Sequence, residues 1–196
     1  MIGTVVLAGV FFLVIAGGVA FASRYVKDGP KPAAPPAPKL SPQQQRCADD
    51  LARLDAAFTR WAGGAELTRD ELEEADAIVR RRFELAAVQS GTRDVQALRL
   101  DEQTNLFLVA VRAAAMGHPS HGAWPVASPI RPMVVDELLR RVTLRPSLAL
   151  HTAMVPAALS VGAFELAVQS LGGLKGHPRL RAEVLGWARD MLVSAP

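Results

Sequence analysis

A single cysteine, Cys47, excludes an internal disulfide and says little about redox compartment. It lies too far from the apolar amino-terminal run to be a lipoprotein cysteine. Its place on a stripe with Leu51, Leu54 and Phe58 marks a buried structural thiol. Charge is scarce in two ways. From Met1 to Ser23 no side chain is charged. Beyond Ser41, the 22 Lys and Arg less Arg24, Lys27, Lys31 and Lys39 leave 18, and the 19 Asp and Glu less Asp28 also leave 18. The formal +3 therefore belongs wholly to residues 24–39. A nucleic-acid binder carries its basic excess on the folded domain, where it neutralises phosphates, so no nucleic-acid partner is expected. The chain also lacks a glycine-rich phosphate loop, a nucleophile elbow and a His-Glu-x-x-His zinc motif. It reads as a protein without catalytic residues, cofactor or small-molecule substrate.

What the amino terminus does have is the uncharged run Ile2 to Ala22, 21 residues long. At about 1.5 Å per residue it spans roughly 30 Å, the thickness of a bilayer's hydrocarbon core. Ala20-Phe21-Ala22 offers small residues at signal-peptidase spacing, and Gly17-Gly18 could break the helix before it. Against cleavage, only Met1 precedes the run, with no basic residue, and the run exceeds the roughly 7–15 residues of a signal-peptide core. Residues 1–23 are therefore expected to be a retained transmembrane helix. Arg24 and Lys27 flank its carboxyl end, which predicts a cytoplasmic domain. Residues 24–41 form a basic, proline-rich linker. Six prolines in the fourteen residues 29–42 favour extended polyproline II geometry and a stiff spacer.

Residues 42–196 carry the punctuation of helices, and the fold class expected is all-α, with about six or seven helices in a compact domain. Ser41-Pro42-Gln43-Gln44 supplies a capping serine, a first-turn proline and a glutamine at the third position. Cys47, Leu51, Leu54, Phe58 and Trp61 then recur at spacings of 4, 3, 4 and 3, and Gly63-Gly64 stops the helix. Thr68-Arg69-Asp70-Glu71 is a capping box, followed by a stripe of Leu72, Ala75, Val79, Phe83 and Ala86 that ends at Ser90-Gly91. The short connection makes residues 42–90 a helical hairpin. A third helix is expected from Thr92 or Asp94 to Met116, apolar around most of its circumference in "LFLVAVRAAAM" and hence central. Four more are expected at about 133–142, 147–161, 163–171 and 178–193. The nearly uncharged stretch 148–174 is interrupted by Pro156, Gly162 and Glu165, which favours a buried helix pair over a second membrane span.

Candidate partner-binding residues are the arginine run Arg80, Arg81 and Arg82, the pair Arg140 and Arg141, and the loop residues His118, His121 and Trp124. The arginines offer charge to an acidic partner or lipid headgroup. Trp124 is a residue type that anchors interfaces. His118 and His121, without a nearby Cys, Asp or Glu, are an incomplete ligand set, so no metal is expected.

Residues 166–192, "LAVQSLGGLKGHPRLRAEVLGWARDML", resemble the junction between two helical repeats of the HEAT type. The resemblance rests on Leu171, Gly172, Leu174, Pro178, Leu180 and Arg181, with His177 standing where an acidic or Asn cap is usual. It implies a stacked-helix scaffold that binds other proteins through a concave face, and it carries over no catalytic residue. Together these features predict a single-pass, membrane-tethered adaptor or scaffold that docks a protein partner. The alternatives are a secreted or periplasmic helical protein released after Ala22, or an accessory subunit of a membrane complex.

Overall fold

The computed structural model describes residues 41–117 and 130–194. The expected transmembrane helix at 1–23, the linker up to Leu40, and His118, His121 and Trp124 lie outside the described residues. Within them the chain forms seven α-helices, one 3-10 turn and no strand. The helices are α1 (Pro42–Ala62), α2 (Arg69–Ser90), α3 (Leu100–Ala115), α4 (Pro132–Leu144), α5 (Leu148–Ser160), α6 (Phe164–Gly173) and α7 (Pro178–Ser194). All belong to one unit, Leu40–Pro196. No helix of the described residues is long and apolar enough to cross a membrane.

Both sequence-predicted capping boxes form. The Gln44 N–H donates to Ser41 Oγ at 3.3 Å while the Ser41 N–H donates to Gln44 Oε1 at 2.9 Å. The Glu71 N–H donates to Thr68 Oγ1 at 3.3 Å, and the Thr68 N–H returns to Glu71 Oε2 at 2.9 Å. Each box satisfies two of the backbone N–H groups that a helix start leaves without partners. Gly91 closes α2 in the left-handed conformation, φ 69°, and Gly162 does the same between α5 and α6 at φ 72°.

The third helix departs from expectation. It begins at Leu100, not at Thr92 or Asp94, because Asp94 caps a 3-10 turn over Val95–Ala97 instead. Its Oδ1 accepts from the Gln96 N–H at 2.9 Å, and Leu98 then runs extended. The buried Gln103 side chain donates to the carbonyls of Leu98 and Gln96, so the irregular backbone is satisfied by a residue of the next helix. Cys47 is half-buried, not interior: the α1 stripe enters the core only from Leu54 onward.

Packing alternates. α1, α3, α5 and α7 form an inner row in which α3 touches α1 and α5, and α5 touches α7. α2 lies against α1 and α3, α4 against α3 and α5, and α6 chiefly against α5. The row also turns back on itself, since α7 reaches α1 and α3. This explains why α3 and α5 are buried on every side: Leu106 to Val111 of α3, and Thr152 to Ala158 of α5, are all buried. Each large apolar side chain wholly buried there, such as Phe107, Leu106 and Met154, contributes about 1.5–3 kcal/mol. Pro156 sits inside α5 and removes the N–H that would donate to the Thr152 carbonyl.

α6 rests chiefly on α5, and the side chains it buries, Ala167 and Ser170, are small. At the end of the seam, a Cβ on Gly173 would lie 2.6 Å from Cγ and Nδ1 of the His151 ring. A Cβ on Gly172 would meet nothing within 4 Å. These neighbouring glycines should respond oppositely to alanine. Gly173→Ala is expected to destabilise the domain by about 1–3 kcal/mol through overpacking, and Gly172→Ala to stabilise it by about 0.5 kcal/mol through helix propensity. Urea unfolding of the two variants checks both signs.

Candidate functional site

The sequence-predicted arginines separate into two environments. On the α1–α2 hairpin, Arg80 pairs with Asp76 one turn earlier. Arg81 crosses to α1, donating from Nε and Nη2 to the two oxygens of Asp50, both at 3.1 Å, and from Nη2 to Glu74 at 3.1 Å. The hydrogen bond to Asp50 raises the Arg81 pKa above its ordinary value, with Glu74 adding to it. The Arg82 Nε is buried without a hydrogen-bond partner. Arg80 and Arg81 are thus occupied by carboxylates of their own hairpin, and little of their charge is left for a partner.

The second pair sits near the end of α4. Glu137, one turn before them, accepts from Nε and Nη2 of Arg140 and from Nε of Arg141, all at 2.7 Å. Arg140 first and Arg141 second hold the Glu137 carboxyl down at about 2, from an ordinary 4.5. Arg140 faces outward, whereas Arg141 is largely covered and also donates from Nη1 to Asn105 Oδ1 on α3 at 2.7 Å.

Arg141 thereby reaches a cleft that no local sequence pattern announces. The cavity, about 510 Å³, lies between α3, the end of α4 and the start of α5. Arg112, Arg141 and Arg145 line it together with Leu108, Leu144 and Leu150, and no carboxylate is among its lining residues. Arg112 comes from the apolar run of α3. Its Nε is buried without a hydrogen-bond partner among the described residues, and its one ion pair among them, to Asp55 of α1, is 3.4 Å long. Burial pushes the Arg112 pKa down, and Asp55 only partly restores it. Arg145 makes no ion pair among the described residues. It caps the carboxyl end of α4, and its N–H donates to the Arg141 carbonyl at 2.9 Å. Ser147 caps α5, whose first turn contains no acidic side chain. The positive end of that helix therefore adds to the guanidinium charge.

Such a recess can hold an anion, since guanidinium groups supply several donors in a fixed plane and keep their charge when covered. Among the described residues no group of three or more His, Cys, Asp or Glu gathers to hold a metal ion. The sequence reading found Arg141 but missed Arg112 and Arg145. A lone arginine inside "LFLVAVRAAAM" was the available signal, because a cation in an apolar helix needs a specific reason to be there.

Comparison with protein families, with curated proteins and with solved structures finds no match to this chain.

The Glu137 fork generates an acid-sensitivity prediction. Its folded pKa, about 2, is depressed below the ordinary 4.5. Its contribution to stability is therefore present above about pH 4.5 and lost as pH falls toward about 2. Thermal midpoints across that interval should fall steeply in the native chain and less steeply in Glu137→Gln. Glu71, held at about 2 by Arg60 and by the Thr68 N–H, leaves part of the slope in place.

Proposed function

We propose that the chain is a membrane-tethered helical adaptor: an amino-terminal span, a stiff spacer and a helical domain that docks a protein partner on the cytoplasmic side. The observation that carries this reading is the order of three unlike segments. They are 21 uncharged residues, a basic proline-rich stretch, and a domain of equal acidic and basic content. A span followed by a spacer that resists collapse keeps a domain near a surface and accessible to other proteins.

The packing supports docking in a second way. α6 rests chiefly on α5 and turns Phe164 and Val168 outward, 55% and 67% exposed. Val161, just before α6, adds a third exposed apolar side chain. The spacing of 4 puts Phe164 and Val168 along one face of α6, the form in which a partner helix is received. The HEAT-type reading of residues 166–192 belongs to the same proposal. It is supported by the alternation of inner and outer helices, by the stop of α6 at Gly173, and by the start of α7 at Pro178. The return of α7 to α1 departs from an open array, so the partner surface on this reading is the outer face of α6 and not an inner concavity.

The alternative, release of a soluble envelope protein, is favoured by one observation, the small residues Ala20 and Ala22. The amino terminus and mass of the native protein, taken from membrane and soluble fractions, decide between them. The tethered adaptor predicts an intact terminus in the membrane fraction. It also predicts a stoichiometric protein partner captured from solubilised membranes, with retention at least tenfold lower for Phe164→Ser at an unchanged unfolding midpoint. A terminus at Ser23 in the soluble envelope fraction would overturn the tether, and absence of a stoichiometric partner would overturn the adaptor.

A further inference from the structure

We infer that the cleft between α3, α4 and α5 is a binding site for a phosphate monoester, held by Arg112, Arg141 and Arg145. This site is independent of the α6 face and of the amino-terminal span.

Charge identifies the ligand class. Around the cleft, the four cations Arg112, Arg140, Arg141 and Arg145 meet two carboxylates, Asp55 and Glu137, which leaves two positive charges unmatched. A phosphate monoester carries about −1.5 to −2 charge near neutral pH and three acceptor oxygens, and so matches that excess. A single carboxylate carries half of it.

Donor geometry agrees. Arg141 commits Nε to Glu137 and Nη1 to Asn105, which locks its guanidinium plane at the cleft wall and leaves Nη2 for a ligand. Such a group is organised before binding and loses little further freedom. Arg112 is held with a buried, unpartnered Nε and a long ion pair, in surroundings that disfavour its charge. A dianion beside it supplies the compensation that Asp55 alone does not. Arg145, exposed and without an ion pair among the described residues, closes on the ligand from the mouth.

Size and lining indicate what the phosphate is attached to. About 510 Å³ is far more than a phosphate group occupies and lies within the range of small-molecule sites. Leu108, Leu144 and Leu150 share the cavity, and Leu144 is 66% exposed at its edge. An organic group with apolar surface would lie against them. A soluble phosphate ester and the phosphomonoester headgroup of a lipid share this chemistry.

The test uses the full-length chain in a non-ionic detergent and reads its thermal unfolding midpoint at constant ionic strength. One arm adds glycerol 3-phosphate, and a second adds phosphatidic acid as mixed micelles. A midpoint rise of about 4 °C at about 20 mM glycerol 3-phosphate over matched chloride is expected for a soluble ester. A rise confined to the phosphatidic acid arm assigns the site to a lipid headgroup. In either case the rise should vanish in Arg145→Ala, whose side chain is exposed, and in Arg112→Met. The latter replaces a buried cation by an apolar side chain of similar length and should keep the fold. Arg189→Ala on α7 should retain the rise. Three results overturn the site: no rise in either arm, a rise that persists in both cleft variants, or an equal rise with a glutamate-rich peptide at matched charge.

Discussion

Everything in this domain is arranged around a helix that cannot face water. α5 is thirteen residues long, contains no formally charged side chain, and buries nine consecutive or near-consecutive residues from Ala149 to Ala158. A helix apolar on all sides must be enclosed on all sides. α3, α4, α6 and α7 provide that enclosure, and the approach of α6 is close enough that Gly173 lies flat against the His151 ring. The small buried side chains of α6, Ala167 and Ser170, let the two backbones come near. The remaining helices follow from this centre: α3 is the next most enclosed, and α1 and α2 cover its other side.

Electrostatics plays a different part on the two sides of the molecule. On the α1–α2 hairpin the arginines find carboxylates in a connected set: Asp50 and Glu74 accept from Arg81, and Glu74 also accepts from Arg53. Exposed pairs of this kind add little stability singly, on the order of 0–1 kcal/mol, but they fix how two helices lie against each other. At the α3–α4–α5 junction the balance fails. There arginines outnumber carboxylates, and one of them sits in low-dielectric surroundings. A protein maintains an arrangement of that sort at a cost to its own stability, which is the physical ground for connecting it with a ligand.

The parts of this structure that depend on neighbours in sequence were readable from the sequence. Ser41 with Gln44, and Thr68 with Glu71, announce helix starts because capping needs residues only three apart. The stripe from Leu54 to Trp61 and the interruption at Gly162 were legible for the same reason. Asp94 shows the limit: a capping residue signals a turn, but its length depends on Gln103, nine residues on, reaching back to the backbone. The cleft lay beyond that limit. Arg112 and Arg141 are far apart in the chain, and Asn105, which aligns Arg141, is 36 residues from it. No periodicity encodes such a convergence, because it is set by which faces of α3 and α4 meet.

The contact between α7 and α1 bears on how the chain acquires its fold. The Arg179 guanidinium lies 5.0 Å from the centre of the Trp61 ring and its Nη1 reaches the Ala65 carbonyl at 3.3 Å, a separation of 114 residues. In an open array each repeat needs only the one before it, and the structure can grow from one end or lose its last member without harm. Here the first helix keeps an unsatisfied edge until nearly the last has been made. During synthesis α1 must therefore wait with the Trp61 surface uncovered. The loop-closure entropy of joining the two ends falls on the final step of assembly, not on an early one. Removing α7 would thus uncover the Trp61 surface of α1 as well as the side of α5 on which α7 packs.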